Sequence, residues 1–360
     1  MVVGSLDRLM RQALDDGVFP GGVLAVAHQG IIRHLSAYGY ANLFTRQPVD
    51  LNTRFDLASL TKPLATTLSV MQLVQRGRLS LNDVLTSFFP DLPDKEKECI
   101  RIEDLLLHAA GMPDYRPYYK QLVHIPSAGR REALKQMLLQ EPLAYEPGTR
   151  TLYSDPGFML LGIIVEAVSR DFLFDYISES VYRPMVLTSL VPDKRMGLHG
   201  TDNVAATEYC PWRKKSLVGE VHDENAHVCG GFSGHAGLFG TAEDILKLLE
   251  GVAAAYHGRD TGGIFETEVV RRFFAFSDQH ARVLGFDRPS ETNSSAGSRF
   301  SQKTIGHLGY TGVSFWMDLS KDIVVVLLTN RVHPSRENEK IRTFRPILHD
   351  RVMDVLNAGG

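Results

Sequence analysis

Cysteine is scarce in this chain: there are 3 among 360 residues, Cys99, Cys210 and Cys229, far apart and with no CxxC pair. So small and scattered a set excludes a disulfide framework and a zinc knuckle, and the thiols read as idle groups in a reducing compartment. Long apolar runs are also missing. No segment approaches ~18 uninterrupted apolar residues, so no membrane-spanning helix is expected. The opening MVVGSLDRLMRQALDDG has no apolar stretch long enough for a signal peptide, and the expectation is a cytoplasmic chain, or a periplasmic one if a leader has been trimmed. Nor does one sign of charge dominate. Against 39 basic residues stand 42 acidic ones, net −3, interspersed, which gives nucleic acid or an anionic membrane nothing to hold.

What is present is an ordinary globular composition, 44% hydrophobic and 22% charged. At about 100–200 residues per domain, the length suggests two structural units with core enough to surround a cleft. Asp7 to Asp16 alternates as an amphipathic helix and is stopped by FPGG at 19–22. Gly22 to Gly30 and Ile31 to Tyr40 read as two strands. At Ala58 the period changes, and Leu64, Leu68, Met71 and Val74 fall on one helical face ended by Gly77. Ser80 with Asp83 reads as a capping box for another short helix, and the chain stays mostly helical to about residue 190. Residues 230–240 (GGFSGHAGLFG) are glycine-rich, and Thr241 with Asp244 caps a helix running to about Tyr256.

The tail returns to strands: Lys303 to Leu308, Val313 to Leu319, and Ile323 to Asn330. A Ser-Lys-Asp turn joins the last two as a hairpin, and a helix from about Glu337 to Leu356 follows. Strands at both ends with helices between predict an α/β (α+β) fold. One antiparallel sheet is assembled from the two termini and flanked by helices, and a helical region is inserted. The expected division is 1–57 with 222–360 as the sheet domain and 58–221 as a mainly helical domain, with an active site between them.

The chemistry starts at Ser59-Leu60-Thr61-Lys62. A serine needs a base within hydrogen-bond reach to become a nucleophile near neutral pH. Positions three apart share a helix face, which sets the Lys62 amine beside the Ser59 hydroxyl. Pro63 is tolerated only in a first turn, so the helix should begin near Ser59, at the positive end of its dipole. A free backbone N–H there can face a developing oxyanion. About one S-x-x-K is expected by chance in a chain this long, and alone Ser59 reads as a cap and Lys62 as a solvated side chain.

The motif has company in Tyr153-Ser154-Asp155 and His307-Leu308-Gly309. Pro156 suits the first position of a helix with Asp155 as its cap and Phe158, Leu161 and Val165 on its apolar side. Tyr153 then sits on the preceding loop, free to aim its phenol into a cleft. His307 lies at a strand end before Gly309-Tyr310-Thr311-Gly312, where small residues let backbone approach a ligand.

Taken in order, S-x-x-K, Y-S-x and [K/H]-x-G resemble the serine β-lactamase and penicillin-binding protein superfamily. FDLASLTKPL (55–64), IEDLLLHAAGMPDY (102–115), EPGTRTLYSDPGFMLLGIIVE (146–166), GLFGTAEDILKLL (237–249) and GHLGYTG (306–312) are similar to the class C β-lactamase branch. That branch also holds family VIII carboxylesterases and D-amino-acid peptidases. The resemblance spans nearly the whole chain and implies a β-lactamase/transpeptidase-like fold. It also implies Ser59 as nucleophile, Lys62 as its activating partner, Tyr153 as general base and proton donor, and the N–H groups of Ser59 and Tyr310 as oxyanion hole. Asp155, His307, Leu308 and Gly309 would contact substrate. The implied partner is a small acyl substrate (an ester, an amide or a cell-wall-derived peptide), with no metal and no cofactor; nothing in the sequence bears on oligomeric state.

The chain departs from that pattern in four places. Asp155 stands where relatives generally carry Asn and lacks an amide's two donors. His307 replaces a lysine, Leu308 a hydroxyl residue, and Ala110 a frequent serine. These losses weaken β-lactams and carboxylate-terminated peptides as substrates, and an ester or small amide is expected. Burial is expected to lower the Lys62 pKa.

Three other readings compete. Ser233 in GFSGH could be a nucleophile elbow, but His235 stands where Gly belongs. His222, His227 and His235 could hold a metal, but their spacing fits no helical pair or finger. A non-catalytic binding module of the same fold would keep Ser59, Lys62 and Tyr153 without a reaction. An active-site phosphonate separates these readings: it should add mass to the peptide containing Ser59 and fail to label Ser59→Ala. Labelling at Ser233 would overturn the assignment.

Overall fold

The computed structural model describes residues 3–92, 94–196, 203–277 and 281–357. Helix α1 (Val3–Asp15) leads into a hairpin of two long strands, β1 (Gly21–His28) and β2 (Ile31–Asn42), followed by the short β3 (Gln47–Pro48). The middle of the chain carries α2 (Leu68–Gln75) and α3 (Asp155–Ser169), and then α4 (Ala242–Tyr256). Two short strands, β4 (Arg282–Val283) and β5 (Phe286–Asp287), precede the long β6 (Thr304–Leu308), β7 (Ser314–Asp318) and β8 (Ile323–Thr329), and α5 (Ile341–Asn357) follows.

These eight strands form one sheet in the order β3-β2-β1-β8-β7-β6-β5-β4. The long strands pair antiparallel, with β1 against β8 from Gly22↔Thr329 to His28↔Ile323. The first and last strands thus meet at the sheet's centre, as the sequence predicts. Because side chains alternate along a strand, each central strand feeds two cores. Leu24 and Val26 of β1 with Val325 and Leu327 of β8 pack under α1 and α5, beside Met10, Phe344 and Leu348. Val23, Ala25, Val324 and Val326 face the other way, into a larger core shared with Leu248 of α4 and Phe158 and Leu161 of α3. Burying each such Val or Leu side chain contributes about 1.5–3 kcal/mol.

Three local expectations are corrected. No helix forms at Ser80, although the Asp83 carboxylate does accept the Ser80 N–H at 2.8 Å. Instead Leu85 N–H bonds to Ile100 C=O and Ile102 N–H to Asp83 C=O, and this long-range pairing takes the backbone groups a helix would need. The segment after Ala58 is not a regular helix from its start. It runs through a 3-10 turn at Ala58–Leu60 and wide π-type turns at Lys62–Thr67 before becoming regular at Leu68. Turns of this kind are frequent at functional sites. At α3 the cap is Ser154, whose Oγ accepts the Gly157 N–H at 3.0 Å. Asp155 is therefore the first helical residue and its carboxylate is free for another partner.

Candidate active site

The chain reaches Ser59 through a short pairing of Phe55–Asp56 with Phe239–Gly240. Asp56 is buried, and its carboxylate accepts the N–H of Ala58 at 2.8 Å and of His222 at 2.6 Å. Burial pushes this carboxyl up to about 6 against the downward pull of those donors. The backbone then turns sharply: Ala58 has φ +45°, in the left-handed region, a strained conformation for a non-glycine residue. Thr61 Oγ1 bonds back to Ala58 C=O at 2.7 Å and accepts Leu238 N–H at 3.1 Å. The turn carrying Ser59 is thus closed on itself and tied to the strand residue Leu238.

Lys62 is fully buried one turn on. Its Nζ donates to Ser59 Oγ at 3.1 Å and to the His235 carbonyl at 3.2 Å, and it pairs with the Asp155 carboxylate at 2.7 Å. It also sits 4.8 Å from the centre of the Tyr153 ring. Burial pushes the ammonium down, but Asp155 and then Tyr153 together outweigh it, and the net shift is upward. The expectation that burial would lower this pKa is therefore corrected. The ion pair with Lys62 in turn offsets the negative charge of Asp155.

Tyr153 is held between two imidazoles, with ring centres 4.6 Å from His108 and 6.0 Å from His307. The Arg282 guanidinium lies 5.3 Å from its ring centre and is paired with Asp287. His307 is buried, and its Nδ1 bonds to the Leu308 carbonyl at 2.8 Å. A carbonyl only accepts, so Nδ1 carries the proton and Nε2 is a bare acceptor. Burial first, then Lys62 and Arg282, hold its pKa well below the usual histidine value. His307 thus stays neutral beside Lys62 and Arg282. Gly309 follows two residues later, where a Cβ would sit 2.8 Å from the Leu57 carbonyl. Only glycine lets this strand end approach the Ser59 turn so closely.

Ser59, Tyr153, His307, Leu308, Gly309 and Tyr310 line one cavity of about 320 Å³, with Lys62 and Asp155 beside it. The sequence-predicted groups are therefore brought together. Three residues in the same place escaped sequence reading. His108 lies inside the 102–115 segment but belongs to no catalytic motif. Arg282 follows no recognisable pattern. Arg331, just past β8, is buried and clamps the Tyr310 carbonyl through Nε at 3.0 Å and Nη2 at 2.6 Å. An arginine after a hydrophobic strand carries no signal of such a contact.

The competing sites do not assemble. His222, His227 and His235 pair with three different carboxylates, Glu208, Glu220 and Asp223. Glu208, Cys210 and Glu224 do converge, but Arg336 bridges both carboxylates and occupies the place of a cation. Ser233 sits in a tight turn bonded to Ala236, on a different small cavity with Arg131, Met159 and Cys229.

An antiparallel sheet with an inserted helical region, and a serine held beside a buried lysine, define a serine hydrolase. The chain belongs to the Beta-lactamase family, whose model matches residues 6–347. It is 32% identical over 366 residues to an Escherichia coli K12 protein named "Putative D-alanyl-D-alanine carboxypeptidase", covering 92% of this chain and 82% of that one. A Salmonella agona protein of the same name is 31% identical over 370 residues, covering 93% and 84%. Among solved structures the fold is similar to that of EstCE1, a hydrolase with promiscuous acyltransferase activity (TM-score 0.76, 22% identity, 98% of both chains). It is also similar to the octameric penicillin-binding protein homologue of Pyrococcus abyssi (TM-score 0.72, 20% identity, 97% and 78%).

Asp155→Asn keeps the shape but removes the main influence holding Lys62 charged, leaving burial to lower its pKa. If the reaction needs the ammonium, the alkaline limb of the kcat/KM profile moves to lower pH in this variant. An unchanged alkaline limb would show that Asp155 does not set the Lys62 charge.

Proposed function

We propose that this protein hydrolyses small uncharged esters through an acyl-enzyme on Ser59. The observation that carries the reading is Lys62 Nζ, 3.1 Å from Ser59 Oγ and 2.7 Å from Asp155. An amine kept protonated by a carboxylate is a donor, not a base. The proton of Ser59 must then go elsewhere, and we assign it to Tyr153, which lines the same cavity as Ser59 and has its ring 4.8 Å from the same ammonium. With Tyr153 entering the step as a phenolate beside the Lys62 ammonium, Ser59 Oγ forms the bond to the acyl carbon as the phenolate oxygen takes the hydroxyl proton. Tyr153 then returns that proton to the departing alcohol oxygen, and water releases the acyl group by the reverse path. The oxyanion sits between the N–H groups of Ser59 and Tyr310. Residues 1–57 with 222–360 make one wall of the cleft and 58–221 the other.

Leaving-group preference follows from the neighbours. Leu308 has no hydroxyl and His307 no charge, so neither holds a carboxylate beside the scissile bond. A second reading, a peptidase acting on chains with a free terminal carboxylate, draws support from the relatives' name and from the far end of the cavity. Arg331, Arg342 and Arg345 line it. Arg345 is buried with its Nε unpartnered.

Tyr153→Phe should lower kcat by ~10²–10⁴-fold, the usual worth of general acid–base catalysis, while the protein stays folded. Wild-type turnover by this variant would leave Lys62 as the sole base. On one preparation, kcat/KM for p-nitrophenyl butyrate should exceed that for a chromogenic cephalosporin. A cephalosporin turned over better by about tenfold, ~1.4 kcal/mol in the barrier, removes the ester preference. Release of D-alanine from a D-Ala-D-Ala peptide in preference to ester cleavage selects the second reading.

A further inference from the structure

His108 takes no part in the reaction just described, yet it holds Tyr153 on three sides. Its backbone carbonyl accepts the Leu152 N–H at 2.9 Å, and its Nδ1 accepts the Ser154 N–H at 2.9 Å. Between those two bonds its ring packs 4.6 Å from the Tyr153 ring. The residue before Tyr153, the residue after it and the aromatic ring itself are therefore all bound to one side chain and its peptide. The same carbonyl also accepts the Tyr145 hydroxyl at 2.9 Å, which fixes it from a second direction.

Two features separate this from ordinary core packing. First, a backbone N–H only donates, so Nδ1 must be the bare nitrogen and the proton must sit on Nε2. That Nε2 is buried and has no hydrogen-bond partner. An orphaned donor in a fully buried ring is unfavourable, and an apolar residue of the same size would avoid it. Second, His108 has φ +57°, a left-handed conformation uncommon outside glycine, asparagine, aspartate and histidine. The fold keeps a strained backbone and an unsatisfied nitrogen at this position, and what it obtains is the grip on residues 152–154.

We infer that His108 is the positioning residue for Tyr153, holding its phenol in register with Lys62 and Ser59. Neutrality is part of the device: an added proton on Nδ1 would set two donors against each other at Ser154. Burial first, then Arg282, Lys62 and His307, keep the ring neutral, well below the usual histidine range. This inference rests on the reading of Tyr153 as proton carrier.

The conservative variant is His108→Asn, because asparagine tolerates the left-handed backbone and offers an acceptor oxygen near the Nδ1 position. His108→Leu removes the acceptor, and His108→Gly removes acceptor and ring while relieving the backbone, so one of these remains informative if the other fails to fold. For p-nitrophenyl butyrate, Leu and Gly should lower kcat by about tenfold or more with KM little changed, since misplacing a catalytic group by ~1 Å can cost ~10²-fold. Asn should recover most of the loss. A purely structural role would lower the melting temperature without this split, and unchanged kcat per folded molecule overturns the inference. So does Asn performing no better than Leu. A fluorotyrosine at 153 gives a readout independent of turnover: one narrow 19F line in wild type and Asn, shifted or broadened in Leu and Gly. Identical lines overturn the inference even if wild type proves inactive, whereas absent phosphonate labelling at Ser59 with altered lines defeats the proposed function alone.

Discussion

Everything in this molecule depends on the antiparallel pairing of its first long strand with its last. Seven residue pairs from Gly22↔Thr329 to His28↔Ile323 join segments some 300 positions apart. Once those strands are neighbours, the chain between them can only be an excursion that leaves and returns. It leaves at Phe55–Asp56 and comes back at Phe239–Gly240, which pair with each other, and Ser59 lies just past the point of departure. Thr311 Oγ1 donates to the Asp56 carbonyl at 2.7 Å, so the turn after β6 is stitched to the same place. The site sits where sheet and excursion are sewn together, and its precision comes from that seam.

Inside the seam the dominant cost is a buried ammonium. Removing a charge from water is expensive unless a partner and further hydrogen bonds compensate. Lys62 has one carboxylate, one hydroxyl and one carbonyl, which matches the three donors of an ammonium. Asp155 reaches it only because Ser154 has taken over the capping of α3. A one-residue shift in cap identity thus changes a helix-end carboxylate from a structural acceptor into a member of the site.

Much of this was legible in the sequence. The strands at both ends, the α4 helix with its Thr241 cap, and the candidate trio Ser59, Lys62 and Tyr153 all carry local signals: alternation, capping chemistry and motif order. What was missed depends on distant partners. The Ser80 segment has the right capping residues, yet it pairs with Ile100 and Ile102, which local propensity does not register. Asp155 looks like a cap beside Pro156, and only the three-dimensional position of Lys62 shows why Ser154 takes that role. His108 and Arg331 act through backbone groups of residues far along the chain, and no spacing rule encodes such contacts. The lysine's pKa shift was read in the wrong direction for the same reason: burial can be anticipated from the sequence, a compensating carboxylate 93 positions away cannot.

The arginines behind Tyr310 give the cavity an electrostatic character opposite to that of the whole protein. Arg331 is buried and spends its donors on the carbonyls of Tyr310, Arg336 and Asn338. Arg345 is buried with its pKa pushed down to about 9 by burial and then by Arg331, and so keeps its charge at neutral pH. The chain as a whole carries −3. At long range an anion is weakly repelled; within a Debye length of the cleft, about 8 Å at physiological salt, the local field reverses. Low-dielectric walls focus such a field. An anion close to this cavity therefore meets clustered arginines rather than the net charge of the chain, and ionic strength weakens that attraction.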